Sequence, residues 1–152
     1  PSGFVQVLDE HRIALCDVPG NNRLDSMENI VQTGQVGLLF LMPTRGETVR
    51  LNGQAVITTD PDILAGFTSE LKTPKSAIVI TVDTTFIHCA KAIRRSGVWK
   101  PDTWDAYNET PDGSDIIACQ NDNAFTADAV RSSLEQDYTR STAAERSDGE
   151  SR

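Results

Sequence analysis

The sequence predicts a mainly β domain, a small mixed β-barrel with peripheral helices. Three observations carry that reading. β-Prone runs come in sequence-adjacent pairs at hairpin spacing, which favours antiparallel pairing over parallel βαβ winding. The helical periodicities between the pairs are short. The chain has 152 residues, 38% hydrophobic and 24% charged, which is room for one ordinary core.

The elements follow in order. Residues 4–8 and 12–16 are short β-prone runs separated by Asp9-Glu10-His11. Residues 17–22 are dense in turn formers and read as a loop. Leu24, Met27, Ile30 and Val31 recur at helical spacing, with Asp25 and Glu28 placed as a capping box and Gly34 as the stop. Residues 36–42 form a continuous apolar run, which predicts a strand buried on both faces. The turn at Pro43-Thr44-Arg45-Gly46 leads into a long strand over 47–58, with a bulge at Asn52-Gly53. Asp60 is a natural N-cap and Pro61 a natural first residue for a helix carrying Ile63, Leu64 and Phe67. A further strand is expected over 75–82, with Asp83 capping a helix from Thr84 to Ser96. A last amphipathic helix is expected from Thr126 to about Tyr138. The domain organisation is then 1–104 as the β domain, 105–138 as an acidic segment ending in a helix, and 139–152 as a disordered tail.

Charge divides the chain at the same place. Residues 1–100 hold 10 Lys/Arg and 10 Asp/Glu, so the whole net charge of −8 lies in residues 101–152, with 4 against 12. The acidic balance argues against duplex nucleic acid or an anionic membrane as partner, yet leaves the neutral β domain free to carry a cationic pocket. No apolar run approaches membrane-helix length, and no signal-like start is present. Cys16, Cys89 and Cys119 are odd in number and widely spaced, without zinc-ligand spacing. They read as buried or half-buried thiols in a reducing, cytoplasmic setting, and no metal site is expected.

No dinucleotide fingerprint, P-loop, nucleophile elbow or zincin motif is present. Two constellations suit an anion. In Gly20-Asn21-Asn22-Arg23-Leu24-Asp25-Ser26, a Gly/Asn loop meets a helix start, where backbone N–H groups and the dipole favour negative charge. Arg23 adds a fork of donors, and Asn22 and Ser26 add neutral ones. The plainer alternative is a helix start with Arg23 paired to Asp25. The second constellation is the expected helix over 84–96, where His88, Lys91 and Arg95 share a face with Arg94 beside it. That face is either a solvated one docking on the acidic third or a ligand site completed by another subunit.

Taken together, Asp17 to Arg23 ("DVPGNNR"), the strand over 36–42, "ETVRLNG" over 47–53 and "HCAKAIRRSGVW" over 88–99 resemble the pyridoxamine 5′-phosphate oxidase-like family, in its uncharacterised bacterial branch. The resemblance covers about residues 1–104. It implies an FMN-binding split β-barrel, a homodimer with FMN at the interface, and an oxidoreductase acting on a small-molecule substrate, with NAD(P)H as a candidate electron donor. By position, Asp17 would stand near the flavin ring or ribityl chain, and Asn22, Arg23 and Ser26 near the phosphate. Thr48 falls where the oxidase has a flavin-contacting Gln, and Lys91 and Trp99 would close the site from the partner subunit. Asn22 replaces what is usually a second cation in the oxidase. The family's N-terminal helix and strand pair have no counterpart before Phe4, and its C-terminal substrate-binding run has none either. No side chain stands out as an acid or base catalyst, which suits flavin chemistry. The alternative is a non-catalytic dimer that binds flavin or another phosphorylated ligand as carrier or sensor.

Overall fold

The computed structural model describes residues 4–18, 20, 23–67, 74–104, 111–121 and 124–147. Two compact units divide the chain, 1–103 and 104–152. In the first, five strands form one antiparallel sheet: β1 (Val5–Val7), β2 (Arg12–Cys16), β3 (Gln35–Leu41), β4 (Thr48–Thr58) and β5 (Ala77–His88). Their spatial order is β1-β2-β5-β4-β3. Two local hairpins, β1–β2 and β3–β4, are thus joined by a late strand that enters between them.

β5 is the strand buried on both faces, and only over its first half. Alternate side chains serve two different cores, as the period of two dictates. Ala77 and Val79 join Ala14, Cys16 and Phe67 on one face, with Phe4, Leu8, Ile63 and Leu64 against them. Ile78, Ile80 and Val82 turn to the other face, where Ile30, Leu51 and Ala55 are buried. Helix α1 (Asp25–Thr33) covers that second face through Ile30, and α2 (Pro61–Ala65) covers the first.

The local chemistry of α2 is as expected. Asp60 accepts a hydrogen bond from the Asp62 N–H at 2.9 Å, and Pro61 follows it. Gly34 ends α1 in the left-handed region at φ 66°, its N–H bonded to the Ile30 carbonyl. The expected capping box of α1 is absent. Leu24 is the N-cap and its hydrocarbon side chain has no oxygen to accept a cap bond, while Asp25 falls one place inside the helix and pairs with Arg23.

Three further expectations are corrected. Residues 36–42 do not form a doubly buried strand: β3 is an edge strand whose exposure alternates, with Val36, Leu38 and Phe40 inward and Leu39 and Leu41 outward. Asp83 does not cap a helix. Residues 83–88 continue β5, and only Lys91–Ser96 coil into a helix, α3. Val82, Thr84, Thr85 and Ile87 are β-branched, and the open edge of β4 offers them pairing from Thr48 to Gly53. The bulge at Asn52/Gly53 is present, and Asp83 is the extra residue opposite it, since Asn52 pairs with Thr84 and Gly53 with Val82. Among the cysteines, Cys16 is buried, and burial raises its thiol's pKa, but Cys89 and Cys119 are exposed.

The second unit holds α4 (Gly113–Gln120) and α5 (Ala127–Ser147). The sequence reading missed α4, which starts on a full capping box. Asp112 accepts from the Ser114 and Asp115 N–H groups, and the Asp115 carboxylate accepts from the Asp112 N–H. It also ended α5 too early. The stretch expected as a disordered tail from 139 stays helical to Ser147, because Ala, Glu and Arg there extend an existing helix at little cost. Residues 148–152 lie outside the described ones.

Arg131 on α5 ties the pair together, donating to Asp112 at 2.9 Å and to Asp128 at 2.6 Å. The N–H donors of α4 and this guanidinium hold the Asp112 carboxyl below its ordinary pKa of 3.8. A carboxylate depressed on folding stabilises above its unfolded pKa and loses that contribution as pH falls through the folded value. Helicity of the isolated 104–152 peptide, followed by circular dichroism, should therefore hold at neutral pH and fall below about pH 4. In Asp112→Asn the acid step should shrink.

Candidate functional site

The expected site residues fall into two groups. The first belongs to the run after β2, with Asp17 at the C-terminal end of that strand and Arg23 and Ser26 about the start of α1. Asp17 is half-buried and accepts from the Ser76 hydroxyl at 3.0 Å, while its N–H bonds the Ser76 carbonyl. Its carboxylate therefore helps fasten the entry of β5. Arg23 donates through Nε to Asp25 at 2.9 Å, with both side chains largely exposed. The ion pair with Asp25 is present in the structure. An exposed pair of this kind contributes about 0–1 kcal/mol, so an incoming phosphate could compete for the guanidinium. Ser26 is exposed on the first turn of α1, and Asn22 lies outside the described residues.

The second group lies at the other end of β5. Thr48 opens β4, is only 8% exposed and pairs with His88. The turn before it carries Thr44 at φ 66°, a left-handed conformation that a β-branched residue rarely adopts. Gly46 lies against Ala90 so closely that a Cβ there would sit 2.6 Å from the Ala90 Cβ and 3.5 Å from Arg94 Nε. The Trp99 indole N–H donates to the Arg45 carbonyl at 2.6 Å, pinning turn and α3 together. Lys91 begins α3 and is exposed, as are Arg94 and Arg95. The basic face expected on one long helix is thus distributed otherwise. His88 belongs to the strand, and the turn contributes Arg45, which the sequence reading overlooked. Among the described residues, the ion pairs found involve none of Arg45, Lys91, Arg94 and Arg95.

Asp17 and Thr48 do not meet within one chain. Ser76 and His88 bracket β5, and a straight strand of that length would span roughly 35–40 Å. Between them the sheet leaves one face open. Opposite α1, beyond the core that α2 covers, residues of β3, β4 and β5 form rows Leu41–Thr48–His88, Leu39–Arg50–Phe86 and Gly37–Asn52–Thr84, all exposed except the buried Thr48. Leu39, Leu41 and Phe86 are 51%, 54% and 46% exposed. His88 and Phe86 rings stand 6.5 Å apart on this face. No group of three or more His, Cys, Asp or Glu suited to a metal occurs among the described residues. The shallow depression along Ser132, Glu135, Gln136 and Arg140 lies on one helix of the other unit and gathers no such chemistry.

A family model described as pyridoxamine 5′-phosphate oxidase matches residues 1–89. The chain belongs to that family. The five-stranded antiparallel sheet with peripheral helices is accordingly the sheet of a pyridoxamine 5′-phosphate oxidase-like split barrel. Against curated proteins the sequence finds no significant match. Two solved structures of epitope-tagged HupZ from Group A Streptococcus are similar. One, a point variant, is 20% identical with a TM-score of 0.42, over 56% of this chain and 73% of that one. The other is 21% identical with a TM-score of 0.41, over 55% and 68%. No helix among the described residues is long and apolar enough to cross a membrane.

The donor set can be compared with the FMN that pyridoxamine 5′-phosphate oxidase-like proteins often bind. A flavin needs an apolar surface for a planar ring, polar groups for its chain and cations for its phosphate. The open sheet face, Thr48 and the arginines supply these types, so the residues fit the group in kind. A single chain presents them as an open surface, with Asp17 and Thr48 at separate ends of β5.

Proposed function

We propose that this chain is an FMN-dependent oxidoreductase that works as a homodimer on a small-molecule substrate, with NAD(P)H as electron donor. Family membership supports it, and one observation shapes it: Asp17 and Thr48, two of the expected site residues, lie at opposite ends of β5. A second copy related by a two-fold axis can bring one end of β5 to the other end of its partner. In that arrangement Arg23, with Asn22 and Ser26, holds the phosphate. Asp17 stands near the ribityl chain and Thr48 near the ring, while Lys91 and Trp99 of the partner subunit close the site. The bound flavin would supply the redox chemistry; the side chains bind, orient and shield it.

The test combines mass, colour and one variant. Light scattering should give twice the 16.6 kDa of one chain, and added FMN should be retained on gel filtration with its visible absorbance. Arg23→Ala should weaken FMN binding by about 10- to 100-fold, the scale of a charge-assisted hydrogen bond, while sparing riboflavin, which lacks the phosphate. A monomer that retains no flavin would defeat the proposal. The engagement of Asp17 by Ser76 and of Arg23 by Asp25 favours a second reading, a flavin or phospholigand carrier without catalysis. Bleaching of bound flavin by NADH or NADPH separates the two.

A further inference from the structure

We infer that Arg50 is a flavin-ring contact: its guanidinium donates to the electron-rich carbonyl and nitrogen edge of the isoalloxazine laid on the open sheet face. The inference rests on the FMN-binding reading above and adds to it a residue outside the set expected from the sequence. Arg50 is on the middle strand of the three-stranded end of the sheet, exposed, with Leu39 directly across on β3 and Phe86 directly across on β5. Cross-strand neighbours share a face, and a charge on a sheet face is ordinarily answered there by an opposite one. Here both flanks are apolar and half-exposed, and no described carboxylate lies within ion-pair distance of Arg50.

A cation between two apolar side chains on an open face suits a ligand with an apolar body and an acceptor edge. A planar ring meets that description, because its faces lie on Leu39 and Phe86 while its edge accepts from the fixed fork of N–H donors. Gly37, in the next row, keeps the approach low: a Cβ there would already crowd the Asn52 Oδ1 at 3.2 Å. A phosphate alone would gain nothing from the apolar flanks.

The experiment titrates the full-length protein and its Arg50→Ala and Arg50→Lys variants with FMN and with riboflavin by fluorescence quenching, and measures mass and melting temperature for each. Arg50→Ala is expected to weaken both ligands equally, by about 10-fold or more, with mass and melting unchanged. Arg50→Lys is expected to recover part of the loss, since it keeps the charge and loses the planar fork. Unchanged affinities would overturn the assignment, as would a loss confined to FMN, which would put Arg50 on the phosphate. A fall to monomer mass would overturn it too, by making the face a protein interface. If the wild-type protein binds neither flavin, the FMN reading itself fails and takes this contact with it.

Discussion

Gly53→Ala should destabilise the sheet unit by about 3 kcal/mol and lower its melting temperature by roughly 10–20 °C. The Gly53 backbone passes so close to β5 that a Cβ there would overlap the Thr81 carbonyl oxygen and approach the Val82 Cα at 3.2 Å. Neither atom is the end of a flexible side chain, so the methyl can be admitted only by moving β4 and β5 apart. This is the step at which the register shifts to pass Asp83. The cost therefore falls on the ladder that unites the sheet. Thermal melts of the wild type and of Gly53→Ala, with Gly113→Ala as a control, give the comparison. Nothing lies within 4 Å of a Cβ at Gly113. A melting temperature unmoved at Gly53 would mean that the two strands are not in the contact described.

Ile80→Ala should cost a similar 2–5 kcal/mol by the opposite route, removing volume from the best-packed point of the molecule. Ile80 is 0% exposed and is the largest fully buried side chain described. It faces Ile13 on β2 and Ala55 on β4 in register, and Leu51 and Ile30 complete the surroundings. Denaturant unfolding should show a lowered midpoint with an unchanged slope, the signature of a native state destabilised without a change in exposed area. Ile80→Val should lose about 1 kcal/mol, because only a methylene leaves.

Much of the fold could be read because local chemistry decided it. Asp60-Pro61 announces a helix start, Gly34 a helix end, and Asn52-Gly53 an irregularity in a strand, each through backbone geometry that few residues permit. What could not be read depends on partners distant in sequence. Phe86, Cys89, Ala90 and Ile93 fall at helical spacing, yet the free edge of β4 claims residues 83–88 for the sheet. The apolar run over 36–42 suggested burial on both faces, but its chain position at the edge leaves Leu39 and Leu41 outside. α4 was hidden because its cap is two aspartates in a stretch already crowded with acids.

The candidate site was legible in part, for the same reason. Charge and loop composition marked Arg23, but its pairing with Asp25 depends on where both side chains point, which composition does not give. Arg50 could have been noticed from the alternation Val49-Arg50-Leu51, which sends it away from the core. Its neighbours Leu39 and Phe86 lie 11 and 36 positions off and become visible only with the register.

The strand order has a consequence for how each molecule is made. When synthesis has reached residue 76, both hairpins exist in the chain, and the inner edges of β2 and β4 have no strand between them. Each is a ready template for a neighbouring chain, and neither helix can cover an edge. β5 has to match the registers of both hairpins at once, a non-local pairing of the kind that sets slow folding rates. The nascent protein is therefore most exposed to aggregation in the interval before residues 77–88 leave the ribosome.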